Sequence, residues 1–330
     1  MNSTTKPSSK QRPVVFLMGP TAAGKTAAAM SLCDRNSQAT LISVDSAMIY
    51  RGLDIGSAKP SQTELKSYPH ELINIRSVVE SYSAAEFNTD ATQLIHTAHE
   101  NDRIPVLVGG TMLYFKILLQ GISDLPASDS VIRKQIENDT QNNGLAWLFD
   151  QLRIIDPETA ARLHSNDKQR IQRALEVHAI SGKPLSYWYS KEYFGENWDK
   201  HALSQSAFSI LPIALAPPQK SQLHPRIEQR FHQMIAYGFL EEVEELMQIA
   251  GVTAHLPAMR CVGYRQAWQY LSGAIDAKVF EEQMLAATRQ LAKRQMTWLR
   301  SWSQLNWVDP FATDHNDQIA QLLSQHLNKH

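Results

Sequence analysis

Apolar runs separated by polar, glycine-containing stretches mark the chain. Residues 14–18, 39–44, 104–108 and 208–215 are apolar except at Thr40, Ser43 and Ser209, without alternation. That pattern predicts strands buried on both faces of a parallel sheet. Between them the spacing changes to the helical period. Phe87, Ala91, Leu94, Ile95 and Ala98 share one face of a helix predicted over 82–101. Further helices are predicted over 112–120, 166–181, from 224 onward, 240–247 and 288–302, and a short strand over 69–75. Strand and helix alternate, which predicts an α/β fold with a doubly wound parallel sheet. From 124 to 203 the signals are mostly helical, and this stretch reads as a helical insertion domain. Residues 13–123 and 204–312 then form the core that carries the sheet, 1–12 a disordered tail and 313–330 a C-terminal tail.

The run 14–18 leads directly into Gly19-Pro20-Thr21-Ala22-Ala23-Gly24-Lys25-Thr26, and an alanine-rich helix follows. Strand, glycine loop and helix are the context a phosphate-binding loop requires, so the doubly wound sheet is expected to be P-loop NTPase-like. Gly19 and Gly24 allow backbone N–H groups to turn inward around phosphate oxygens, and the helix N-terminus adds partial positive charge. Lys25 supplies a point charge for the terminal phosphate, and Thr26 a hydroxyl for Mg²⁺. The loop does not say which phosphate compound it holds.

Composition narrows the class. The chain has 330 residues, a net charge of −1 and 43% apolar residues. A nucleic-acid site would therefore be a local basic patch. Two cysteines, Cys33 and Cys261, make no disulfide framework. No apolar run has the length of a membrane span and no signal core opens the chain, so a cytoplasmic setting is expected.

Other candidates follow in chain order. Asp45 ends the second predicted strand, where it could hold Mg²⁺ through water, act as a general base, or only cap a turn. Arg51 and Lys59 flank a glycine- and proline-containing loop that could close over phosphates. His96 and His99 read as solvent-side helix residues. Gly109-Gly110-Thr111 follows another strand, and Thr111 could address the bound pair or cap the next helix. Arg226 and Arg230, one helical turn apart, suit a diphosphate. Tyr187, Trp188, Tyr189 and Trp198 suit either base stacking or a packed core. No acid lies between Glu282 and Asp309, and Arg289, Lys293, Arg294 and Arg300 make that helix the candidate for backbone-phosphate contact.

Taken together, GPTAAGKT (19–26), DSAMIYRGLDIGSAKP (45–60), GGTMLY (109–114), QRIQRALEVHAISGKP (169–184), RCVGYR (260–265) and KRQMTWLR (293–300) resemble, in the same order, the tRNA dimethylallyltransferases. The resemblance covers residues 13–302. It implies transfer of a dimethylallyl group from dimethylallyl diphosphate to N6 of adenosine at tRNA position 37, beside the anticodon. On it, Gly19, Pro20, Thr21, Ala22, Ala23, Gly24, Lys25 and Thr26 bind the diphosphate, with Mg²⁺ at Thr26. Asp45 matches the general base, Thr111 helps position the adenine amine, and Arg226 or Arg230 steadies the leaving diphosphate. Contact with the tRNA anticodon stem-loop is implied for four stretches: Asp45, Ser46, Ala47 and Met48; Gln169, Arg170, Ile171, Gln172 and Arg173; Arg260, Cys261, Val262, Gly263, Tyr264 and Arg265; and Lys293, Arg294, Gln295, Met296, Thr297, Trp298, Leu299 and Arg300. Thr111 and Arg133 are implied to touch it singly. Ala23 replaces a common Ser, and Glu71 and Asn74 stand where His and Asp are usual. A monomer is expected. The alternative is a P-loop kinase of a nucleoside or small metabolite, or an RNA-binding ATPase.

Overall fold

A computed structural model of the chain describes residues 11–121, 125–191 and 208–329, with the backbone alone for 189–191. It divides into two compact units, one of Met1–Gln120 with Ala202–His330 and one of Gly121–His201.

The first unit is built on six strands among the described residues: β1 (Arg12–Met18), β2 (Ala39–Val44), β3 (His70–Glu71), β4 (Ile104–Gly109), β5 (Phe208–Leu215) and β6 (Asn306–Val308). They form one sheet, all parallel, in the order β3-β2-β4-β1-β5-β6. Its helices are α1 (Lys25–Arg35), α2 (Gln62–Ser67), α3 (Ala84–Glu100) and α4 (Met112–Gln120). The second unit holds α5 (Ser130–Ile155), α6 (Pro157–Arg162), α7 (Lys168–Ser181) and α8 (Leu185–Lys191). After β5 the first unit resumes with α9 (Leu223–Ala236), α10 (Phe239–Gln248), α11 (Tyr264–Leu271), α12 (Ala277–Arg300) and α13 (His315–Leu327).

The continuous apolar runs are explained by cover on both sheet faces. On one, Val15, Leu17, Leu41, Val106, Ile213 and Leu215 meet Ala28, Ala29 and Leu32 of α1 and Ile319 and Leu323 of α13. On the other, Phe16 packs on Phe115 with ring centroids 5.1 Å apart, and Phe87 stacks on Tyr114 at 4.2 Å. Burying each such side chain is worth roughly 1.5–3 kcal/mol.

Several expectations are corrected. The strand expected over 69–75 is two residues long, because Leu72 and Asn74 take φ of 62° and 59° and turn the chain out of the ladder. His99 does not face solvent. It bonds the Pro13 and Ile95 carbonyls at 2.8 and 2.9 Å and stacks on Phe208, and this burial lowers its pKa. Arg12, placed in the tail by sequence, begins β1 opposite Phe208; residues 1–10 lie outside the described residues. The stretch 313–330 carries α13, and the three-residue β6 was not foreseen.

The second unit has its own core of Ile136, Leu148, Leu152, Ile171, Leu175 and Val177. Its longest helix bends at Gly144, where φ is 85°. Trp188 packs against this core and meets Tyr187 edge-on; Trp198 and the Tyr189 side chain lie outside the described residues. The Glu176 carboxylate is 1% exposed and binds Arg133 Nε at 3.1 Å and Arg173 at 2.8 Å. It also accepts from the Ser128 hydroxyl and the Asp129 amide. These partners outweigh burial and hold its pKa below the usual carboxylate range.

Leu323→Ala should lower stability by about 2–5 kcal/mol by opening a cavity between α13 and the sheet. A urea midpoint unchanged from that of the parent chain would show that α13 does not belong to the core.

Candidate active site

Strand register sets the site. Met18 pairs with Gly109 and Gly109 with Val44, so β1, β4 and β2 end level with one another. The residues that follow, Gly19, Gly110 and Asp45, emerge side by side at the C-terminal edge, where such sheets bind ligands.

From β1 the chain forms the loop 19–24 and enters α1. Gly24 is the N-terminal cap residue of α1 with φ of 84°, a left-handed conformation that glycine adopts without steric cost. Ala22 also lies at positive φ, 64°. The first turn of α1 holds no acid, so its partial positive charge is left for an anion. Lys25 Nζ reaches back to the Pro20 carbonyl at 2.7 Å. Burial pushes the lysine down to about 8; nearby Asp45 opposes that shift and Arg230 adds to it.

The arginine comes from α9. Ile227, Phe231 and Met234 bury the apolar face of that helix. Arg230 donates to the Ser57 carbonyl at 3.2 Å and approaches the Thr21 hydroxyl at 3.5 Å. Its guanidinium is buried, which lowers its pKa, and Asp45 and Tyr264 work against that. Arg226 does not join the loop. Its guanidinium lies over the Phe311 ring, 4.1 Å from the centroid. The structure thus brings one arginine of the pair to the site.

Asp45 Oδ1 accepts from the Ala47 and Met48 amides at 2.8 and 3.2 Å. The capping reading is therefore real, but it occupies one of two oxygens. Thr111 accepts from the Ser46 amide at 3.2 Å through its hydroxyl, which ties the acidic turn to the Gly110-Thr111 turn. Lys25, Arg230, Asp45 and Thr111 are four sequence-predicted residues that the fold gathers.

Other candidates are reassigned. Lys59 is held inside its own loop by the Tyr50 carbonyl, Asn74 and Asp54, with its side chain 1% exposed. It cannot swing over phosphates. Glu242 on α10 fixes that loop by accepting from the amides of Asp54, Ile55 and Gly56 and from the Tyr264 hydroxyl. No local signal marks Glu242, because its partners lie far away in sequence. Tyr264 is fully buried and its pKa is raised well above the ordinary range, first by burial and then by Glu242.

The expected RNA-contact runs divide by helix face. Ile171, Gly263, Tyr264, Gln295, Met296 and Leu299 are buried and present no surface to a macromolecule. Cys261 and Val262 are half-buried, and burial pushes the Cys261 thiol up to about 12. Gln172 bonds Thr140, while Arg133 and Arg173 are engaged by Glu176. Gln169, Arg170, Arg260, Arg265, Lys293, Arg294, Thr297 and Arg300 are exposed. Gln290, Lys293, Arg294, Thr297 and Trp298 line an open groove of about 300 Å³ along α12, and Lys116 lies over the Trp298 ring.

Gln295 has the least expected position. Its Oε1 accepts from the Thr21 amide at 2.8 Å, and its Nε2 donates to the Gly110 carbonyl at 2.9 Å. As for a metal, no group of three or more His, Cys, Asp or Glu side chains able to hold one occurs among the described residues. Thr26, in the first turn of α1, fits Mg²⁺, which binds through few protein ligands and completes its shell with phosphate oxygens and water.

A family model described as IPP transferase matches residues 48–302. A protein of Hahella chejuensis named tRNA dimethylallyltransferase 2 is 47% identical over 319 residues, 96% of each chain. A tRNA dimethylallyltransferase of Ralstonia nicotianae is 49% identical over 313 residues, 95% of this chain and 96% of its own. The crystal structure of a tRNA isopentenylpyrophosphate transferase from Bacillus halodurans superposes with a TM-score of 0.68 at 31% identity, covering 97% of this chain and 98% of that one.

The Lys25 shift has a direct consequence for anion binding. Only the protonated amine attracts phosphate, and that form is half lost at about pH 8 in the free protein. Pyrophosphate affinity, measured by calorimetry and corrected for the anion's own protonation, should be level below that pH. Above it, affinity should fall by up to about tenfold per pH unit. Binding near pH 8 should take up a proton. Equal affinities at pH 6.5 and 9.5 would remove the charged lysine from the anion site.

Proposed function

The chain belongs to the IPP transferase family, the tRNA dimethylallyltransferases, and on that premise we propose that it moves a dimethylallyl group from dimethylallyl diphosphate to N6 of adenosine 37 of tRNA. One observation carries the reading. A phosphate loop with Lys25 and Arg230 lies within electrostatic range of a carboxylate, Asp45, that is tied through Ser46 to Thr111. An anion pocket and a proton acceptor thus share one strand edge.

In the reaction, the bond between the allylic carbon and the bridging oxygen breaks, and its electron pair leaves with the diphosphate. Negative charge grows on that group, where the loop amides, Lys25 and Arg230 stabilise it. A Mg²⁺ ion held at Thr26, when bound, supplies further neutralisation of the diphosphate. The adenine amine is a weak nucleophile, since its lone pair is shared with the ring. As the new carbon–nitrogen bond forms, its proton passes to the free oxygen of Asp45, and the Thr111 hydroxyl orients the amine.

The adenine must first leave the anticodon-loop stack, at a cost of a few kcal/mol. Backbone contacts from Lys293, Arg294 and Arg300, with a ring platform at Trp298, offset that cost. In the second unit, exposed Gln169 and Arg170, the latter paired with Asp167 at 3.5 Å, are the residues of the expected stretch that can meet RNA. The chain acts as a monomer in the cytoplasm. No helix of the described residues is long and apolar enough to cross a membrane.

The test is transfer of labelled dimethylallyl groups from their diphosphate to unmodified tRNA with Mg²⁺. Label at adenosine 37 is expected, and ATP turnover without label would favour the kinase reading. Asp45→Asn keeps an oxygen for the Ala47 and Met48 amides but accepts no proton. The turnover rate should fall by about 10²–10⁴-fold while tRNA affinity stays within about twofold. Loss of RNA binding instead would make Asp45 a contact residue.

A further inference from the structure

The mechanism above leaves Gln295 without a role, although it is one of few buried polar side chains, 8% exposed. Its amide has both a donor and an acceptor, and both are used. One end holds the Thr21 amide of the phosphate loop and the other the Gly110 carbonyl before Thr111. These partners lie 274 and 185 residues away in sequence, so neither contact follows from local chain geometry. A Cβ at Gly110 would come within 2.3 Å of Gln295 Nε2, so residue 110 has no room for a side chain while the bridge is in place. On the same two turns of α12, Lys293, Arg294 and Thr297 are exposed along the groove.

We propose that Gln295 is a positioning residue that ties the diphosphate loop to the acceptor turn and couples RNA docking on the outer face of α12 to diphosphate binding in the loop. The proposal rests on the reading of the site as a prenyl-transfer centre. Gln295 touches neither reacting group. It acts through Thr21, whose hydroxyl Arg230 approaches from the other side, and through Gly110, whose neighbour Thr111 takes the Ser46 amide. A shift of α12 under bound RNA would move both turns together, since one rigid amide spans them. By reciprocity, a diphosphate seated in the loop favours the α12 position that RNA prefers.

The experiment uses the full chain. Pyrophosphate with Mg²⁺ is titrated by calorimetry with and without saturating unmodified tRNA, and donor and tRNA kinetics are measured alongside. In the parent chain, tRNA should tighten pyrophosphate binding about fivefold or more. In Gln295→Met, which keeps the volume but neither hydrogen bond, that factor should fall to about one. The KM for dimethylallyl diphosphate should rise about tenfold while tRNA affinity alone stays within about twofold. Gly110→Ala, which displaces an intact Gln295, should reproduce this pattern.

Gln295→Asn keeps the amide but is one methylene shorter, so it cannot reach the Thr21 amide and the Gly110 carbonyl at once, and it should lose the coupling even if the Met variant does not fold. Coupling that persists in these variants, or tRNA affinity that falls in step with donor affinity, overturns the proposal. A parent chain that transfers no label overturns the prenyl-transfer reading itself, and the coupling measurement, which needs no turnover, separates the two failures.

Discussion

The site depends on the level ending of three parallel strands. Because β1, β4 and β2 finish in register at Met18, Gly109 and Val44, the next residue of each is delivered to one edge without any loop having to find it. The loop lysine, the acidic turn and the Gly110-Thr111 turn are consequences of that pairing. Apolar cover on both faces holds the register, since a slip of one residue would turn the buried side chains of a strand to the opposite face.

Charge suits this edge to an anion. Lys25 and Arg230 are both enclosed, and burial lowers the pKa of each. The carboxylate near both is Asp45, one oxygen of which already accepts from two amides. Of the acids nearby, Glu242 is taken up by three loop amides and Tyr264, and Asp54 by Lys59. Two half-buried cations near one partly engaged carboxylate gain from a multiply charged anion.

The sheet, the phosphate loop and the helical second unit were legible because each has a local signature. The 14–26 stretch carries its strand, loop and helix in succession, and the buried runs mark four of the six strands. What could not be read came from distance or from helix face. Nothing near Glu242 foretells that it anchors residues 54–56, and Arg226 and Arg230 are equivalent until Phe311 takes one and Ser57 the other. The stretches at 169–173 and 293–300 were read as continuous contact surfaces. A helix cannot present every residue to one side, so Ile171, Met296 and Leu299 went to the core and Gln295 to the loop. The strand expected at 69–75 failed because the left-handed turns at Leu72 and Asn74 have no sequence mark of the glycine kind.

The division of labour within the Asp45 carboxylate bears on how the enzyme resets. In the proposed reaction the base, Asp45, must pass through its neutral form in each cycle, and a carboxylate that also anchors backbone is liable to let go when it is protonated. Here the anchoring oxygen and the unoccupied oxygen are different atoms. A proton that settles on Oδ2 leaves Oδ1 a carbonyl-like acceptor for the two amides. The turn from Asp45 to Met48 can therefore keep its shape through charging and discharging, and the pocket need not rebuild itself between one turnover and the next.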